Sequence, residues 1–169
     1  AGTASGSGPL FYFMVRLTRG VRSLLISLLA AFVLQQTVDR YFGGRLLEYF
    51  ALIPNGAVNQ FRFWQLLTYG FLHADVTHFF FNGLMLFFVG PEIEKSWGLL
   101  RFIRFYLGCV AIAGLSYLLI QSIAGDLYTP LVGASGGIYG LLTAYAVLYG
   151  DRQILFMMMI PMKARTFVW

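Results

Sequence analysis

Long uncharged stretches separated by short polar segments dominate the chain. Residues 23–38, 105–124 and 131–149 contain no Asp, Glu, Lys or Arg, and residues 63–90 contain one charged residue, Asp75. The stretch 105–124 has the ~20 residues that an α-helix needs to cross the hydrocarbon core of a bilayer. This pattern predicts several membrane helices joined by short polar connections.

The positions of the charges and of Gly and Pro set the expected boundaries. Residues 39–65 carry charges together with Gly43-Gly44 and Pro54-Asn55-Gly56, which indicates an interfacial loop that lies partly in the membrane. Pro91 follows the second helix. A polar turn comes next, with the charged residues Glu92, Glu94, Lys95, Arg101 and Arg104. We therefore divide the chain into a Gly/Ser-rich, tag-like linker (1–8) and a membrane domain (9–169), with helices at about 22–38, 75–90, 101–124 and 133–149 and a fifth helix that begins after 154.

Composition supports an all-α polytopic membrane protein. Apolar residues make up 59% of the chain and charged residues 11%, with a mean hydropathy of +0.72, whereas soluble domains have about 25% charged residues. These values exclude a disordered tail, a nucleic-acid-binding domain with a solvated basic face, and an ordinary cytosolic enzyme. The single cysteine, Cys109, excludes a disulfide framework and a cysteine-based metal site, and we expect it to be packed in an apolar helix.

The basic residues predict the orientation. They lie between the apolar stretches rather than in one cluster, so we expect them to set topology rather than to bind nucleic acid. With the N-terminus inside, nine of the 12 Lys and Arg residues fall on the inner side, and Arg40, Arg45 and Arg62 fall outside. We therefore predict a multi-pass integral membrane protein with a cytoplasmic N-terminus, and we assign it to a bacterial inner membrane.

Two predicted helices carry polar groups at membrane depth, where such groups are costly and usually functional. His78 and Asn82 are four residues apart, so they share one helix face. Ser135 lies near the start of the fourth helix, among glycines at 133, 136, 137 and 140, with Tyr139 one turn further along. A serine at a helix N-terminus can act as a nucleophile, because the free N–H groups there can stabilise an oxyanion. His78 and Asn82 could supply further donors.

Each of these features also has a purely structural interpretation. Closely spaced glycines allow membrane helices to pack tightly, and a serine in such a helix often bonds to its own backbone. His78 and Asn82 could form a hydrogen-bonded pair between helices. The occurrence of both groups on neighbouring helices favours the functional interpretation.

The sequence resembles the rhomboid family of intramembrane serine proteases over residues 61–165. The resemblance rests on Trp64-Gln65-Leu66-Leu67-Thr68, Phe71-Leu72-His73, His78-x-x-x-Asn82, Glu94 with Gly98, and Gly133-Ala134-Ser135-Gly136 followed by Tyr139. It implies a rhomboid-like helical bundle. Family members often have Trp-Arg where this chain has Trp64-Gln65, so we carry over no role for that arginine.

The resemblance also implies residue roles. Ser135 would be the nucleophile, and His78 and Asn82 would form the oxyanion hole with the Ser135 N–H. Substrate contacts would come from Gly133, Gly136, Tyr139 and His73, with Tyr139 also packing against the catalytic histidine. The family's base is a histidine on the last helix, and no residue of this chain matches it. The pattern thus predicts the front part of a rhomboid-like protease, inactive by itself, with no metal and no cofactor.

Three functional hypotheses follow from this pattern. In the first, the parent protein cleaves transmembrane substrates in the lipid bilayer by acyl-enzyme chemistry. In the second, the protein is a rhomboid-like pseudoprotease that binds membrane segments without cutting them. In the third, the chain is a truncated client of membrane translocation or insertion machinery. A channel or transporter is disfavoured, because no charged residue lies in the middle of the third or fourth helix, and we expect no nucleic-acid partner.

Overall fold

The computed structural model describes residues 17–43, 45–151, 153–156, 160–163 and 166. In this part of the chain the helices are α1 (Arg19–Phe42), α2 (Arg45–Phe50), α3 (Gln65–Thr68), α4 (Val76–Trp97), α5 (Leu99–Ala124) and α6 (Ser135–Tyr149). A π-helical turn (Asn55–Asn59) and a 3₁₀ turn (Tyr69–Phe71) lie between α2 and α4. Helices α1, α4 and α5 are long and apolar enough to cross a membrane. The prediction of a helical membrane bundle is therefore confirmed, whereas the tag-like segment 1–8 lies outside the described residues.

Helix α4 connects the other long helices. It packs against α1, α5 and α6, and α5 also packs along α6. The shared core consists of side chains that are at most 8% exposed: Val21, Leu24, Leu28, Leu86, Ile93, Phe102, Tyr106, Val110, Ile138, Leu141 and Leu142. Large apolar side chains such as Ile26 and Ile123 point outward and are 60% and 80% exposed, as expected of helices surrounded by lipid.

Helix α1 begins at a buried carboxylate from α4. Glu94 is 6% exposed, and it accepts hydrogen bonds from the Thr18 hydroxyl, from the Gly20 N–H at 2.8 Å and from the Val21 N–H at 2.9 Å. The first N–H groups of a helix have no partner within the helix, and a negative charge there also interacts favourably with the helix dipole. Helix α1 therefore begins at Arg19, three residues before the predicted start.

Helix α4 continues through Pro91, so the predicted end of the second helix at Gly90 was wrong. Pro91 lacks an N–H and removes one hydrogen bond of the helix, yet it is buried inside α4. Tight packing of α1 against α4 offsets this loss, since a Cβ on Gly90 would lie 2.6 Å from Val21 Cγ2. The helix ends at Gly98, whose φ of +78° favours glycine. This single residue separates α4 from α5, and the predicted polar turn is helical.

The predicted start of a fifth helix was also wrong. Strands β1 (Gln153–Phe156) and β2 (Ile160–Lys163) pair in antiparallel register, with Gln153 opposite Lys163. Pro161 disfavours a helix because it has no N–H, whereas the open edge of a two-stranded ribbon accepts proline. The Met157–Met159 run lies outside the described residues.

The loop after α2 is tied to the segment that leads into α6. Leu52 and Leu131 exchange two backbone hydrogen bonds of 3.0 and 2.9 Å, and the Asn55 N–H donates to the Leu127 carbonyl at 2.9 Å. Ala51 and Leu52 are fully buried. The interfacial loop is therefore packed against the bundle, and it fixes the approach to Ser135.

Candidate active site

Asp75 sets the first turn of α4, where His78 lies. Its extended backbone precedes the helix, and its side-chain oxygen accepts a hydrogen bond from the His78 N–H at 2.8 Å. Such an N-cap stabilises a helix by about 1 kcal/mol. Asn82 follows one turn later, is 7% exposed, and its amide nitrogen Nδ2 has no hydrogen-bond partner among the described residues. One face of α4 therefore carries a half-buried imidazole and, one turn deeper, an unpaired amide.

Gly133 brings Ser135 and His78 together. Its φ of +123° is rare for residues with a side chain, and its N–H donates to the Tyr69 carbonyl at 3.0 Å. A Cβ on Gly133 would lie 2.8 Å from His78 Nε2 and 3.7 Å from Ser135 Oγ. His78 Nε2 and Ser135 Oγ therefore lie close to the same position beside Gly133. The distance between these two atoms cannot exceed the sum of the two distances.

This geometry suits attack on a carbonyl group. Ser135 is the first residue of α6, so the neighbouring N–H groups have no partner within the helix. A carbonyl at Ser135 Oγ would lie close to the first turn of α6 and to the His78 ring, which borders Gly133. The arrangement can thus supply a nucleophile and donors for an oxyanion.

The glycines of α6 serve helix packing. A Cβ on Gly136 would lie 2.6 Å from Ala113 Cβ, and one on Gly137 would lie 2.5 Å from the Tyr106 ring. A Cβ on Gly140 would overlap Cys109. Gly136 thus faces α5 rather than the His78 ring, which argues against its predicted contact with substrate. Of the four glycines, Gly133 is the one that borders His78.

Two further predicted substrate contacts have contrasting surroundings. His73 is fully buried, so its side chain cannot touch a substrate without rearrangement of the loop, and its predicted role needs correction. Tyr139 lies one turn beyond Ser135 on the same face of α6, and it is 70% exposed. It packs against no histidine in the described part of the chain, whereas His73 and His78 contact each other.

Two buried glutamines hold the site in place, and sequence reasoning assigned them no role. Gln35 of α1 is 2% exposed; its Nε2 donates to the His73 carbonyl at 2.8 Å, and its Oε1 accepts from the His73 N–H at 3.0 Å. Gln65 is fully buried and accepts from the Ile53 N–H at 3.2 Å. Its Nε2 donates to the carbonyls of Glu48 and Tyr49, both at 3.3 Å. The sequence feature that could have identified them is a glutamine within a largely apolar segment. An amide side chain is costly to bury unless it is hydrogen-bonded.

Ser135 lies below the level of the longer helices. Helix α6 has 15 residues, fewer than the ~20 required for a complete crossing. Its C-terminal end is joined to α4 by a hydrogen bond of 3.4 Å from the Tyr149 hydroxyl to the Glu92 carbonyl. Residues 125–134 therefore descend from the end of α5 to a recessed serine. Within the part of the chain that the structure describes, no three His, Cys, Asp or Glu side chains cluster as metal ligands would.

A helical membrane bundle with a recessed serine and a neighbouring imidazole is the class of protein that the fold and site define. The family model for the rhomboid domain matches residues 60–169, and the chain belongs to the rhomboid family. It is 32% identical over 117 residues to Rhomboid-related protein 3 of Homo sapiens, covering 69% of this chain and 26% of that protein.

Bacterial relatives match as well. Rhomboid protease GluP of Bacillus subtilis is 37% identical over 97 residues, which cover 56% of this chain and 18% of that protein. The putative rhomboid protease YdcA of the same organism is 35% identical over 82 residues, which cover 48% of this chain and 39% of that protein. The chain thus spans well under half the length of these relatives.

Proposed function

We propose that the full-length protein is an intramembrane serine protease that cleaves transmembrane substrates. The observation that carries this proposal is that Ser135 Oγ and His78 Nε2 both lie close to Gly133. Two bacterial relatives named as rhomboid proteases, one of them putative, support it. The recessed position of Ser135 favours substrates that enter from the lipid, because a soluble peptide would have to descend into the bundle.

The proposed reaction passes through an acyl-enzyme. Ser135 Oγ attacks the scissile carbonyl, and a base takes the hydroxyl proton. The negative oxygen is held by the Ser135 N–H, His78 and Asn82; loss of one such donor typically slows a reaction by about 10²–10³. The leaving amine takes a proton, and water then hydrolyses the ester. We assign no residue of this chain as the base, since His73 is buried and His78 acts on the oxyanion.

The substitution Ser135→Ala tests the nucleophile in the full-length protein. We expect it to abolish cleavage of a transmembrane reporter in proteoliposomes, because Ser135 Oγ supplies the oxygen of the proposed ester. Ser116→Ala is the matched control: Ser116 is exposed and its hydroxyl bonds to the Ile112 carbonyl of its own helix at 2.9 Å. Undiminished cleavage by the Ser135 variant would remove the proposal.

A pseudoprotease that binds membrane segments is the second candidate. It requires that no base acts on Ser135, and neither His73 nor His78 is assigned that role here. Reaction of the full-length protein with a fluorophosphonate separates the two candidates, because only an activated serine is labelled. Absence of labelling, with substrate retained in a crosslinking assay, would favour the pseudoprotease. Copurification of translocation or insertion machinery would instead favour a client of that machinery.

We also propose that the N-terminus is cytoplasmic. Arg19, Arg22, Lys95, Arg101 and Arg104 lie at the end of the bundle that holds the start of α1 and the junction of α4 and α5, and basic residues favour the cytoplasmic side. The relatives include human, plant and bacterial proteins; a bacterial inner membrane is a separate proposal for the location.

Cysteine labelling in intact cells measures this orientation. Gln60 and Ser96 are both exposed and lie near opposite ends of the bundle. In a Cys109→Ala background, a membrane-impermeant maleimide should label Gln60→Cys and leave Ser96→Cys unlabelled until the membrane is permeabilised. The reverse result would invert the topology.

A further inference from the structure

The ring of His73 is buried without a well-formed hydrogen bond. It is fully buried, and neither ring nitrogen has a partner of good geometry among the described residues. Its neighbours are aromatic: the Phe79 ring at 5.4 Å and the Phe32 ring at 6.4 Å between centroids, both edge-on. A buried polar ring of this kind is costly, which indicates a role other than stability.

The backbone of His73 is fixed from α1. The amide of Gln35 forms two hydrogen bonds with the His73 N–H and carbonyl, at 3.0 and 2.8 Å. In addition, Phe32 of α1 stacks on Phe79 of α4 at 4.7 Å. The His73 ring is thus held by its backbone and by aromatic packing.

The His78 ring is in contact with both His73 and Gly133. The two imidazoles meet edge to face, with centroids 5.2 Å apart and planes at 72°, and Cε1 and Nε2 of the His78 ring lie beside Gly133. The described residues give the His78 ring no side-chain hydrogen bond. Packing between these two neighbours is therefore what orients it.

The charge state of His73 suits this arrangement. Burial, and then the neighbouring His78, lower the pKa of His73 to about 4; the Phe71 backbone and the Asp75 carboxylate act in the opposite direction with smaller effect. His73 is therefore neutral at physiological pH.

We propose that His73 is a positioning residue that, held by Gln35, presses the His78 ring against Gly133 and so directs it at the oxyanion of the Ser135 reaction. This role rests on the proposed protease function. It replaces the substrate contact that the sequence suggested for His73. It also gives α1, which carries no reacting group, a part in the geometry of the site.

Kinetics of paired variants of the full-length protein test the role. His73→Phe keeps an aromatic edge of similar size, so we expect kcat within about threefold of the wild type. His73→Ala removes that edge, and kcat should fall about 10–100-fold with KM little changed, because a misplacement of about 1 Å can cost about 10² in rate. In a His78→Ala background, His73→Ala should have no further effect, since the two act as one unit.

Additive losses in the double variant, or equal damage by His73→Phe and His73→Ala, would overturn the positioning role. A readout without catalysis keeps it separate from the protease proposal. NMR signals of isotope-labelled His78 should shift in His73→Ala and stay near wild-type positions in His73→Phe. Unchanged His78 signals in His73→Ala would refute the role, even if the protein proved to be a pseudoprotease.

Discussion

At the scale of single residues, the site depends on the absence of a side chain at Gly133. Gly133 combines a left-handed backbone with a Cα that touches the His78 ring. Any side chain at this position would be strained by the backbone conformation and would collide with the His78 ring. Gly136, Gly137 and Gly140 differ, because each faces α5. One Gly-rich segment therefore contains two kinds of glycine, which sequence spacing does not distinguish.

Gly133→Ala should displace the His78 ring. The new Cβ would lie 2.6 Å from His78 Cε1, so the ring has to move. We expect at least about a 10²-fold slower reaction of Ser135 with a fluorophosphonate in the full-length protein, as for the loss of an oxyanion donor. Gly108→Ala is the control, because a Cβ there meets nothing within 4 Å. Equal labelling rates for the two variants would show that His78 does not serve the oxyanion.

The buried imidazole of His73 predicts a pH dependence of stability. Its pKa is about 4 in the folded protein, against 6.5 for a free histidine. Between these values the unfolded chain binds more protons, so stability is complete above pH 6.5 and decreases as the pH falls towards 4. We expect the Tm in detergent to fall over this range, and to fall less in His73→Phe. An equal fall of Tm in the wild type and in His73→Phe would show that groups other than His73 cause the pH dependence of stability.

At the scale of helices, hydrogen bonds between elements set the boundaries. Glu94 of α4 caps α1, Gln35 of α1 holds the segment before α4, and Gln65 holds the loop after α2. Each contact joins residues far apart in sequence, so helix patterns alone could not reveal it. The predicted ends differ from the observed ones at Arg19, where Glu94 caps α1, at Phe42, where α1 runs past the predicted residue 38, and beyond Pro91, where α4 continues to Trp97.

Glu94→Ala should destabilise the packing of α1 against α4. The buried N–H groups of Gly20 and Val21 would lose their acceptor, and each unsatisfied group costs about 1–3 kcal/mol. Glu92→Gln is the control, since Glu92 forms a partly exposed ion pair with Lys95 at 3.1 Å, which is worth at most about 1 kcal/mol. Unfolding in mixed micelles measures both variants; equal midpoints would contradict the capping role.

At the scale of the whole molecule, hydrophobic pattern predicted the class of fold. Stretches such as 105–124 are too apolar and too long for another interpretation, and the pairing of Ser135 with His78 across two helices followed from motif order. The hairpin after Gln153 was not predicted, because Pro161 within a short apolar run is compatible with more than one structure. The burial of His73 was also missed, since it depends on Phe32 and Gln35 of a distant helix.

The shortness of α6 would make lipid length a variable of the proposed protease reaction. At 1.5 Å per residue its 15 residues span about 22 Å, whereas a typical hydrocarbon core is about 30 Å thick. Bilayers made from shorter acyl chains would bring the headgroups, and water with them, closer to the serine. Hydrolysis of the ester intermediate would then accelerate relative to its formation, and the membrane itself would set the balance between the two steps.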